Sequence, residues 1–234
     1  RDIKLMVGNK IKFLQLTLES LVKKQLILRL EKGKYCRRSF RNEYVIGTFL
    51  AHEGIISYWT ALNLHGLTDQ FSNTILVQTD RPRLDKVVFG VNYKFIKVKK
   101  SKFSCYTISG YGNNAFKLAT VEKTILDCLD LPVYNGGTTE LYYAISKAKL
   151  SSKELIEAAE AVGNIAAIKR LGFLLELFEV KRIKNFIEYA QSKVNKKYNL
   201  LDPQDEDQGA FDARWKLRIN VERNVLIKIS QKMY

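Results

Sequence analysis

The spacing of apolar residues divides the chain into a short helical head and a longer body in which strands precede helices. Leu14, Leu18, Leu21 and Val22 recur at three- and four-residue steps behind Phe13, so they line one stripe of a helix. Lys10, Lys12, Gln15, Glu19 and Lys23 fall mostly off that stripe. Upstream, residues 2–7 read as a shorter helix that stops at Gly8-Asn9. Downstream, the run Leu26-Ile27-Leu28-Arg29-Leu30 reaches a tight turn at Glu31-Lys32-Gly33-Lys34, and Tyr35–Arg38 returns. Gly33 tolerates the positive φ that a two-residue hairpin loop demands. Helix, turn, helix and hairpin in this order make a winged helix-turn-helix. The chain opens on Arg1, so the expectation is a winged unit over 1–44 whose first helix is missing.

The body, 45–234, has a different rhythm. Val45–Glu53 reads as a linker or a first element, and 57–67 as a short helix with Ser57 at its N-cap and Gly66 at C′. Strands are expected at 74–79, 86–89, 93–99, 103–108 and 115–118. In Tyr93–Lys99 apolar and basic residues alternate, which predicts a half-buried strand with its lysines on one face. Helices are expected at 120–131, 138–148, 151–162 and 164–178, with Ser151 and Glu154 as a capping box. An acidic loop follows Leu200–Pro203, and Trp215–Ile219 alternates like a late strand rejoining the sheet. The fold class is therefore α+β: a winged unit, then a larger domain with a mixed sheet and C-terminal helices.

Charge sharpens this picture. The net charge is +15, but it is unevenly spread. Residues 1–45 carry twelve basic and four acidic side chains, 46–80 carry no Lys or Arg, and 81–102 carry eight basic and one acidic. Two basic blocks separated by a strip with three acidic and no basic side chains imply a polyanionic partner, here double-stranded DNA. Lys10, Lys12 and Gln15 stand where a recognition helix meets base edges, Lys donating to guanine and Gln pairing with adenine. Arg29, Lys32, Lys34, Arg37 and Arg38 would meet phosphates, which position without reading sequence. Arg81, Arg83, Lys94, Lys97 and Lys99 form a possible second basic surface for DNA, RNA or an acidic protein. The competing reading is a solvated helical hairpin on a lysine-rich surface.

Other chemistry is poorly supported. Cys36, Cys105 and Cys128 are far apart and form no CxxC pair, so neither a zinc site nor a disulfide scaffold is expected, and a reducing cytoplasm is. The two histidines, His52 and His65, have no metal-ligand spacing. No metal or cofactor is expected, and no apolar run reaches the roughly 18 residues of a membrane span. Glu122 and Asp127 beside Lys123 suggest a metal-dependent nuclease, but five helical residues set their carboxylates about 140° apart. Ser57 and His65 lie too far apart along one short helix to act as nucleophile and base. Tyr58, Trp59 and His65 read as a core cluster, Gly136-Gly137 as a loop, and Lys169-Arg170 as a solvated charge pair ahead of a Gly172 packing contact. A non-enzymatic role is expected.

Several motifs then occur in one order. They are Ile56-Ser57-Tyr58-Trp59-Thr60-Ala61-Leu62 with His65-Gly66-Leu67-Thr68-Asp69-Gln70; Val121-Glu122-Lys123-Thr124-Ile125-Leu126-Asp127; and Tyr134-Asn135-Gly136-Gly137 with Glu140-Leu141. Lys169-Arg170-Leu171-Gly172-Phe173-Leu174-Leu175-Glu176 follows, and then Leu201-Asp202-Pro203 with Arg214-Trp215 and Asn220. The ordered set, spanning nearly the whole chain, resembles the AbiEi family of type IV antitoxins, also described as predicted transcriptional regulators of viral defence systems. The resemblance implies a winged helix that represses its own operon and a C-terminal domain that neutralises a nucleotidyltransferase toxin. Family members without a toxin neighbour would be solitary regulators.

Overall fold

Runs of β-branched and aromatic residues at 74–79 and 91–97 build the centre of a six-stranded mixed sheet. The computed structural model describes residues 13–231. The sheet contains β3 (Ile55–Ile56), β4 (Thr74–Thr79), β5 (Lys86–Val88), β6 (Val91–Lys97), β7 (Tyr106–Ser109) and β8 (Phe116–Ala119), in the order β5-β6-β4-β3-β8-β7. β4 runs parallel to β6 and β3 parallel to β8, while the β5–β6, β3–β4 and β7–β8 pairs are antiparallel.

Alternation along the strands sends side chains into two separate cores. Leu76, Ile96 and Val98 join a large helical core, whereas Ile75, Val77, Tyr93 and Phe95 face a smaller one on the opposite side. The large core is filled by α3 (Tyr58–Leu64), α4 (Val121–Asp130), α5 (Thr138–Lys147), α6 (Ser152–Val162), α7 (Ile165–Leu177), α8 (Lys184–Lys193) and α9 (Arg223–Gln231). The smaller core is closed by α2 (Glu43–Leu50) and by Leu30 of the hairpin β1 (Ile27–Glu31)/β2 (Lys34–Arg37). α1 (Leu14–Lys23) leads into this hairpin. The fold is α+β, with a mixed sheet and C-terminal helices.

Local chemistry explains the helix starts. Thr120, Ser151 and Asn164 cap α4, α6 and α7 by accepting from the backbone N–H of Lys123, Glu154 and Ala166. Asn42 caps α2 in the same way, so the segment that reads in sequence as a linker or a first element is a helix. Ser57 occupies the N-cap of α3, but its hydroxyl is directed at Asp127 instead of at the helix.

Three expectations are corrected. The late strand β11 (Leu217–Ile219) does not rejoin the main sheet; it pairs with β9 (Asn199–Leu200) and β10 (Ala210–Asp212) in a small sheet of its own. The strand expected at 103–108 begins at Tyr106, because Cys105, at φ 54°, is not extended. The lysines of β6 do not share a face: Lys94 lies on the side of Ile96, Lys97 on the side of Tyr93 and Phe95, and Lys99 lies beyond the strand.

Candidate nucleic-acid interface

The head of the molecule combines an outlying helix with an anchored hairpin. α1 contributes no fully buried residue: Leu14, Leu18, Leu21 and Val22 are half-buried, and Phe13 and Leu16 are each 62% exposed. Gln15 faces solvent and donates to Glu19 at 3.2 Å. The hairpin turns through Lys32-Gly33, with Gly33 at φ 77°, and its strands pair antiparallel. Arg29, Lys32, Arg37 and Arg38 are exposed. Lys10 and Lys12, and the helix expected at 2–7, lie outside the described residues.

Lys34 departs from its expected role. It is 8% exposed, and its ammonium donates to the carbonyls of Phe49 (2.9 Å) and Leu50 (2.7 Å) at the end of α2. It also pairs with Glu31 at 3.0 Å. The helix end supplies carbonyls without intrahelical partners, and a buried ammonium satisfies them. Lys34 is thus a tie between hairpin and body and is not free to meet phosphate. Burial lowers its pKa, and the facing Glu31 opposes that shift. Burial pushes the Glu31 carboxyl up, but hydrogen bonds and charge from Lys34 and Arg83 outweigh it and hold the carboxyl below its usual range.

The second basic set does not stay together either. Arg83 is ion-paired with Glu31 and lies 4.9 Å from the Phe95 ring centroid, so it also belongs to the tie. Lys86 donates to the Leu30 carbonyl at 2.7 Å, adding a third cation to the same joint. Lys94 sits over the Tyr134 ring on the other side of the sheet. Arg81, Lys97 and Lys99 are exposed.

The residues that invite an enzymatic reading are buried and committed. Asp127 is 1% exposed and accepts from Lys123 (2.5 Å), Ser57 (2.7 Å) and Gln78 (2.7 Å). Glu122 is 3% exposed and accepts from the Ser151 backbone at 3.0 Å, away from Asp127. Burial, partly offset by that bond, raises its pKa. His65 directs Nε2 to the Ala119 carbonyl at 2.8 Å, and burial lowers its pKa. Among the described residues no three His, Cys, Asp or Glu side chains are grouped to hold a metal, and no helix is long and apolar enough to cross a membrane.

Lys169 and Arg170 are not a solvated pair. Lys169 donates to the carbonyls of Lys197 (2.6 Å) and Lys216 (3.2 Å), and Arg170 to those of Leu200 (2.9 Å) and Leu129 (3.1 Å). Both bind the segment that carries the small sheet. The irregular backbone of that segment is the signal that could have located them: its carbonyls need donors.

The ordered sequence motifs meet in pairs within this core. Ser57 reaches Asp127, Thr68 reaches Glu140 at 3.3 Å, and Trp59 covers Gly136. Trp215 lies on Gly172 and donates to Glu176 at 2.7 Å, while Asn220 bonds the backbone of Asp202 in both directions. These are packing contacts.

No family model and no curated protein matches this chain. Among solved structures, it is similar to the crystal structure of the RV2827C protein from Mycobacterium tuberculosis, at 11% identity and a TM-score of 0.61, over 92% of this chain and 82% of that one. This likeness concerns the fold alone.

Proposed function

We infer that the chain is a DNA-binding transcriptional repressor whose head is a winged helix. The observation that carries this reading is the outlying helix α1 followed by a basic hairpin fixed to the body. A helix that buries nothing completely has a face to spare, and it leads directly into a hairpin tied to the body at Leu30, Lys34 and Glu31. Gln15, with Lys10 and Lys12 preceding it, would read base edges in the major groove. Arg29, Lys32, Arg37 and Arg38 would clamp phosphates, and Lys34 and Arg83 leave the footprint because the ion-pair joint uses them. The motif set adds the expectation of an AbiEi-type antitoxin in the cytoplasm, repressing its own operon and neutralising a nucleotidyltransferase without chemistry of its own.

Fluorescence anisotropy with promoter DNA from the chain's own operon tests the reading. Each phosphate contact should add about −0.9 to the log–log salt slope. A slope near zero, or equal affinity for all duplexes, sinks sequence-specific repression. The antitoxin role is tested by co-expressing the neighbouring toxin with the full chain carrying Lys32→Ala and Arg37→Ala. Growth should persist although repression is lost; growth arrest by toxin in the presence of the unmodified chain removes the role.

A further inference from the structure

A cleft of about 670 Å³ opens beyond the carboxyl end of β6, a strand parallel to β4, on the helical side of the sheet. One wall is the segment that leaves β6, with Lys97, Lys99 and Lys102; the opposite walls are the turn between α6 and α7 and the segment 195–199, with Lys197. The volume falls within the roughly 300–1,000 Å³ range of small-molecule sites, and the space beyond parallel strand ends is where open α/β sheets hold ligands.

Its charge is unbalanced. Four lysines line the cleft against two carboxylates, Asp130 and Glu160. Asp130 is already committed, paired with Lys102 and accepting from Asn164 at 2.7 Å. Lys97, Lys99 and Lys197 have no ion pair among the described residues. Lys99 and Lys197 come from segments about a hundred residues apart, and an anion in the cleft would meet cations that no carboxylate neutralises.

The wall carrying Lys197 is held in place from behind. The buried Lys169 donates to the Lys197 carbonyl at 2.6 Å and reaches Asn195 at 3.5 Å. Burial, then the charges of Arg170 and Lys197, bring Lys169 down to about 8. No aromatic side chain lines the cleft, so nothing there would stack on a base. Beside the two carboxylates, its polar groups are ammonium, amide and the Ser101 hydroxyl, donors that bind phosphoryl oxygen.

The geometry points to this cleft as a binding site for a small polyphosphorylated molecule, recognised through its phosphates and separate from the winged head. Isothermal titration calorimetry of the full chain with inorganic triphosphate and with ATP tests the assignment. Both should bind, within about threefold of each other because no base is read, and Lys99→Ala with Lys197→Ala should weaken both at least tenfold, or about 1.4 kcal/mol. Both lysines are exposed, so the fold should survive their removal, which the circular dichroism melt checks. Lys32→Ala with Arg37→Ala should leave binding unchanged. The assignment is overturned if neither compound gives saturable heat up to millimolar concentration, if the cleft variant binds as tightly as the parent, or if the head variant loses binding instead.

Discussion

Lys32 and Lys34 stand two residues apart on one basic hairpin, yet the structure predicts opposite consequences for their loss. Lys34→Met keeps the apolar stem and removes only the ammonium, which holds two carbonyls at the end of α2 and the Glu31 carboxylate. Removing one partner of a buried pair costs about 3–5 kcal/mol. Glu31 retains Arg83 and Lys86, so the lower end applies, and the two carbonyls lose bonds worth about 1–3 kcal/mol. The expected loss is about 3 kcal/mol, or roughly 6–12 °C in Tm for a chain of this size. Lys32→Ala at an exposed turn position should change stability by less than about 0.5 kcal/mol. On promoter DNA the order reverses. Lys32→Ala should make the log–log salt slope shallower by about 0.9, whereas Lys34→Met, measured below its melting range, should leave the slope unchanged. Urea unfolding and anisotropy salt titrations on the two proteins decide the matter. A stable Lys34→Met protein with a shallower slope would refute the assignment of Lys34 to the joint, and with it the claim that the hairpin is fixed to the body.

Other perturbations probe the body. Gly172→Ala places a Cβ within 2.1 Å of the buried Trp215 ring, so overpacking of about 1–3 kcal/mol should exceed the gain of up to about 1 kcal/mol in helix propensity; a chemical denaturation midpoint at or above the parent's contradicts this. Asp127→Ala strands the buried Lys123 ammonium and should cost about 3–5 kcal/mol, while plasmid DNA incubated with magnesium stays intact with either protein; cleavage by the parent alone would restore the nuclease reading. Burial depresses the His65 pKa, so its contribution to stability should be complete above the unfolded value of about 6.5 and be lost as pH falls through the folded value. The pH dependence of unfolding should flatten there in His65→Phe; an identical acid limb in both proteins would assign the loss to other groups.

The readable parts of this chain are those whose physics is local. β4 lies where expected, residue for residue, because 74–79 is a β-branched and apolar run bounded by polar residues and buried on both faces. The starts of α4, α6 and α7 follow from Thr120, Ser151 and Asn164, which satisfy helix N–H groups a few residues away. α2 is legible only as a linker or a first element, for the converse reason: it is eight residues long and mostly apolar around its circumference, so no amphipathic period marks it. β9 and β10, two and three residues long, are too short for alternation to register. Lysine roles depend on longer range still. Nothing near Lys34 announces the carbonyls of residues 49 and 50, and nothing near Lys169 announces those of 197 and 216. Charge counting therefore enlarged the expected footprint, adding Lys34, which the fold uses on its own backbone, and Arg83, which it pairs with Glu31. It also hid the cleft, where Lys99 and Lys197 come together only in three dimensions. The motifs behind the family resemblance occupy the opposite position. They are the residues that touch across the core, as Ser57 does Asp127, so they bear on how the chain folds.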